Sequence, residues 1–204
     1  MQSGLRQKID RLVRDIWKDE MKKDYEDCFF WEESVLKNAF YHHLRNGIKR
    51  DKTLNDLVLY PEMRVKSPEG EKLRIDIAIV EVPECGVKTW EECNEHWEKQ
   101  GSCISNLLAA FEFKHWDRIY PRPLELALNK FQKHFEKEGV YYADDKVKKG
   151  KLLFADILYF GAVLDDKRDR LPTREEFIRK LNSPMSLQLL IGSNVQEKIR
   201  FECL

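Results

Sequence analysis

Along the first 26 residues apolar side chains recur every three or four positions: Leu5, Ile9, Leu12, Val13, Ile16, Trp17 and Met21. That spacing predicts one long amphipathic helix over 4–26, its stripe packed on the core or on a partner chain. A second stripe, Leu36, Ala39, Phe40 and Leu44, predicts a helix from about Phe30 to Asn46, with Gly47 as its stop. Beyond it the period shortens to two. Leu57 to Lys66 reads as a strand in which Pro61 marks an edge position or a bulge, and Ser67 to Glu71 as a turn. Leu73 to Val80 reads as a buried strand with Leu73, Ile75, Ile77 and Ile79 on one face and Asp76 on the other. Leu107 to Lys114 is a third strand, in which Phe111 and Phe113 point one way and Glu112 and Lys114 the other.

Between the last two strands lies an insertion from Pro83 to Ser105, too long for a tight hairpin. After the third strand, Pro121 and Pro123 lead into a stripe of Leu124, Leu128, Phe131 and Phe135, which predicts a helix. Residues 140–156 carry no clear period and read as helix or irregular structure. Ile157 to Leu164 reads as a buried strand, and Thr173 with Glu176 forms a capping box opening a short helix to about Leu181. Leu187 to Ile191 and Val195 to Phe201, separated by Gly192-Ser193-Asn194, predict a hairpin.

At 204 residues the chain is long enough for a single domain with its own core, made of an N-terminal helical segment over 1–28, the 83–105 insertion and a C-terminal extension over 170–204. Lys and Arg total 36, as do Asp and Glu, so nucleic acid could be attracted only by a local patch. The most basic stretch holds Lys130, Lys133, Lys146, Lys148 and Lys149, candidates for phosphate contacts, although interleaved acids also fit a solvated surface. No apolar run approaches ~18 residues and the N-terminus lacks a signal-peptide core, so the expectation is a cytoplasmic protein with no membrane partner. Five cysteines in such a chain suggest reduced thiols or a metal. Cys85, Cys93, His96 and Cys103 are the right donors for a structural zinc, but the spacing matches no common zinc finger, and simple buried thiols compete as a reading. There is no Walker loop and no Gly-x-Ser-x-Gly elbow.

The chemistry concentrates in the two charged strands. An Asp among isoleucines is expensive unless it is paired. If the strands are neighbours, Asp76, Glu112 and Lys114 converge, and two carboxylates that would otherwise repel can jointly hold a hard divalent cation. An Asp on one strand followed by Glu-x-Lys at the end of the next, after a helix bearing Glu32 and Glu33, resembles the core of the PD-(D/E)XK nuclease superfamily. The resemblance spans roughly residues 30–165 in order; the residue before Asp76 is Ile75, where the family often has Pro. It implies an α/β fold with a restriction-endonuclease-like core of helix, three strands, helix and strand. It also implies metal-dependent hydrolysis of nucleic acid, DNA ahead of RNA, with Asp76, Glu112 and the Phe113 carbonyl holding Mg2+ or Mn2+. Lys114 is then the catalytic lysine and Glu33, preferred over Glu32 because it falls inside the buried arc of its helix, the helix acid. Two other readings stay open. One is a structural cluster with Glu112 paired to Lys114 and Asp76 to Arg74; the other is a non-catalytic nucleic-acid-binding or protein-interaction module, forming a homodimer through the first helix.

Overall fold

The structure, a computed structural model, describes residues 2–27, 32–67, 69–81, 104–116, 139–143, 151–165, 187–195 and 198–203. The N-terminal stripe does form a nearly continuous helical rod: α1 (Gln2–Asp15), a wider π-helical stretch (Ile16–Met21) and α2 (Lys22–Glu26). Ile9, Val13, Ile16, Trp17 and Met21 are its buried positions. Helix α3 (Glu33–Arg50) buries Leu36, Phe40, Leu44 and Ile48, one residue per turn along one side. It does not stop at Gly47 as expected. A side chain there would meet Leu12 Cδ1 at 2.6 Å, so the glycine lets α1 approach α3 rather than ending the helix.

The strands are β1 (Leu57–Lys66), β2 (Lys72–Glu81), β3 (Ile104–Trp116), β4 (Gly139–Ala143), β5 (Lys151–Asp165), β6 (Leu187–Val195) and β7 (Lys198–Cys203). Among the described residues they form one mixed seven-stranded sheet in the order β3-β2-β1-β4-β5-β6-β7, and β3 also pairs with β5. The second pairing closes β1, β2, β3, β5 and β4 into a ring. β5 runs parallel to β3 and, further along, parallel to β6. The fold is therefore mixed α/β. The stretch over 140–156 is corrected by β4 and by the early start of β5, both of which draw their stability from partner strands rather than from their own period.

The C-terminal hairpin forms, but Gly192-Ser193-Asn194 is not its turn: these residues lie within β6 opposite Phe201, Arg200 and Ile199. A Cβ on Gly192 would sit 2.8 Å from the Phe201 ring and 2.9 Å from Leu164, so this glycine too marks a close approach. Pro61 lies in a part of β1 where β2 is its partner and β4 has not yet joined, which suits a residue without an N–H. The core lies between the helices and one face of the sheet. There Phe111 stacks on Phe160 at 4.8 Å, and Phe40 of α3 tilts against Phe111 and Phe113 at 5.2 and 5.3 Å. No helix among the described residues is long and apolar enough to cross a membrane. The insertion, the helix after β3 and the short helix after Thr173 lie outside the described residues, apart from Ile104 and Ser105, which begin β3.

Candidate active site

Alternation along β3 sends Phe111 and Phe113 into the core and leaves Glu112 and Lys114 on the opposite face. The β2–β3 ladder runs from Glu81 opposite Asn106 to Ile77 opposite Phe111. Just past it, the Phe113 N–H donates to Asp76 Oδ2 at 2.9 Å, so a side chain takes over where backbone pairing stops. The first turn of α3 reaches the same place. Lys114 Nζ donates to the Phe113 carbonyl at 2.7 Å, lies 2.8 Å from Glu112 Oε1 and lies 3.3 Å from Glu33 Oε1. Glu33, Asp76, Glu112 and Lys114 are thus brought together from one helix and two strands.

Glu32 is exposed at the start of α3 and accepts from the Ser34 hydroxyl, away from this cluster. The pairing of Asp76 with Arg74 is not found. Arg74 pairs with Glu62, and among the described residues Lys37 is the cation paired with Asp76, with Nζ 3.6 Å from Oδ1. Lys37 also binds Glu62. Glu62 has a left-handed backbone, φ 54°, and interrupts the β1–β2 ladder between Pro61, opposite Ile77, and Met63, opposite Ile75. Because the register is the same on both sides, there is no bulge, and Glu62 stands directly across from Asp76. Sequence pattern did not point to Lys37, although it follows Glu33 by four residues and therefore shares its side of the helix. Nor did it point to Tyr159, buried on β5 beside Ala110 on the face of Glu112.

Electrostatics mark the cluster as strained. Burial, then the neighbouring Asp76 and, more weakly, Glu33, push the Glu112 carboxyl up to about 7, against the pull of Lys114. Burial works against the charge on Lys114, yet Glu112, Glu33 and Asp76 hold its ammonium above the ordinary lysine value. The Tyr159 phenol is driven well above its usual range by burial, then by Glu112 and Asp76.

For a divalent cation, the available donors are carboxylate oxygens and one carbonyl, the class that suits Mg2+ or Mn2+. Among the described residues no three His, Cys, Asp or Glu side chains converge as a ready metal site. The Lys114 ammonium bridges Glu112 and the Phe113 carbonyl, a positive charge on two of the donors that a cation would share. The donor set fits such an ion in kind. Cys85, Cys93, His96 and Cys103, and Lys130, Lys133, Lys146, Lys148 and Lys149, lie outside the described residues. Cys203 is the one described cysteine; burial raises its thiol to about 11, which makes it an inert packed group.

No family model matches the chain, and no curated protein matches it. Among solved structures it is similar to E. coli MS115-1 NucC in its cAAA-bound form, at 14% identity and a TM-score of 0.45, covering 98% of this chain and 83% of that one.

Proposed function

We propose that the chain is a divalent-metal-dependent nuclease of the PD-(D/E)XK type, hydrolysing phosphodiester bonds of nucleic acid, DNA ahead of RNA. The observation that carries the reading is the meeting of Asp76 with Glu112 and Lys114 across β2 and β3, with Glu33 reaching Lys114 from α3. Asp76, Glu112 and the Phe113 carbonyl are the residues that would hold Mg2+ or Mn2+. Such an ion, when bound, polarises the phosphoryl oxygen and offsets the negative charge that grows during displacement. The Phe113 N–H fixes Asp76 through Oδ2, while Oδ1 lies 3.6 Å from Lys37 Nζ and would be shared between that ammonium and the ion. Lys114, with its proton held firmly by three acids, donates to the reacting oxygens rather than accepting from them. Glu33, more exposed than Glu112, faces the approach of the attacking water and orients it. Lys130, Lys133, Lys146, Lys148 and Lys149 belong to this proposal as candidate phosphate-backbone contacts, and Cys85, Cys93, His96 and Cys103 as candidate zinc ligands, with buried thiols as the competing reading.

One observation favours a second reading, a non-catalytic module on the same fold. Lys37 and Lys114 already neutralise the carboxylates, as they do in a purely structural ion cluster. Plasmid, single-stranded DNA and RNA substrates incubated with Mg2+ or Mn2+ separate the two. Asp76→Ala and Glu112→Ala should lose cation affinity and cleavage together while remaining folded. Equal behaviour of wild type and both variants across that panel leaves the module standing.

A further inference from the structure

Two ammonium groups divide the acidic cluster between them. Lys114 lies among Glu112, Glu33 and the Phe113 carbonyl. Lys37 lies between Asp76 and Glu62, and its side chain is only 16% exposed. Asp76 is the wall shared by the two positions: one oxygen is turned to the Phe113 N–H and the other to Lys37. Lys37 is itself anchored from below by α3 and from the side by Glu62, whose left-handed backbone is a conformation that a glutamate rarely adopts. Arg74 holds the far side of Glu62 but is 59% exposed, so it offsets that charge only partly. The four carboxylates, Glu33, Glu62, Asp76 and Glu112, thus surround two lysines. Lys114 bonds to a carbonyl and a carboxylate of its own strand and to Glu33 of α3, whereas Lys37 reaches from α3 to one acid on β1 and one on β2.

We propose that Lys37 is a positioning residue that permanently fills a second cation position of the site, so that the chain takes one divalent cation rather than two. The inference rests on the nuclease reading of Asp76 and Glu112 and adds a limit on stoichiometry. A fixed ammonium between Asp76 and Glu62 supplies the positive charge that a second ion would otherwise bring, without the need to recruit it. Glu62 and Asp76 become paired oxygen donors only when that ammonium is removed.

The test uses the full chain and Mn2+ alone, without substrate, read by calorimetric titration and by electron paramagnetic resonance at saturation. Wild type and Lys37→Arg should take one Mn2+ per chain with no spin coupling. Lys37→Met should take a second, weaker ion close enough to couple to the first, and adding Glu62→Gln to that variant should return the count to one. A merely structural role for Lys37 leaves the count at one throughout. Two Mn2+ on the wild type overturn the proposal outright, whatever the variants do. So does one Mn2+ on folded Lys37→Met and on folded Lys37→Gln alike. No Mn2+ on the wild type removes the nuclease reading itself, which distinguishes that failure from a failure of this inference.

Discussion

Residues 111–114 of β3 set two kinds of stabilisation side by side within four positions. On one face Phe111 and Phe113 are fully buried against Phe40 and Phe160, where every atom removed from water stabilises the fold and nothing needs a partner. On the other, Glu112 is buried and Lys114 partly buried, and desolvation works against the charge on each. Glu112 shows the imbalance, since its carboxyl is held at about 7. The aromatic face therefore holds the strand in place, and the charged face uses that rigidity to keep like charges closer than they would settle by themselves. A site of this kind is destabilising in isolation and is tolerated because its other face is not.

The largest effect should come from breaking the aromatic face. Phe111→Ala removes a stacked ring from a site with no slack and should cost about 3–5 kcal/mol out of a total of roughly 5–15 kcal/mol, read as a shift in the urea midpoint with little change in slope. A loss below ~1 kcal/mol would show that the ring stack does not hold β3 against β5.

On the charged face the same surgery should spare the fold and remove the chemistry. Lys114→Met should lower turnover on a cleaved substrate by ~100-fold or more while cation binding persists or tightens, because the ammonium no longer competes for Glu112 and the Phe113 carbonyl. Parallel loss of metal affinity and turnover would instead assign Lys114 to building the cation site.

A smaller effect, with a definite sign, follows from Glu112. Its pKa is about 7 in the folded chain against an ordinary 4.5, so the folded state binds the proton more tightly than the unfolded state does. The contribution of this group is therefore full below about pH 4.5, is lost as pH rises to about 7, and is flat above. Thermal melts without metal should show a decline of about 3 kcal/mol across that window, absent in Glu112→Gln and reversed at pH 8 by millimolar Mn2+. A Glu112→Gln profile that tracks wild type would place the titration elsewhere.

Much of this contrast is legible in the amino-acid sequence. Period-two alternation over Leu73–Val80 and Leu107–Lys114 forces Asp76 away from the isoleucines and Glu112 away from the phenylalanines, because successive side chains on a strand have no other choice. The preference for Glu33 over Glu32 follows in the same way from helical periodicity. Local pattern likewise places β1 and β2 to within a residue. What it does not supply are facts created by contact between distant segments. Gly47 and Gly192 carry the composition of a stop and a turn, yet each is small because another element passes over it. β4 and the first half of β5 have no period of their own and exist as strands because partners complete their ladders. Lys37 and Glu62 join the cluster only because α3 docks there and the β1–β2 register sets Glu62 opposite Asp76. Sequence by itself determined which face of each element a charge occupies, since that is a matter of backbone geometry over a few residues. Tertiary structure alone decided which charges meet, since that depends on register, docking and burial, which no single segment contains.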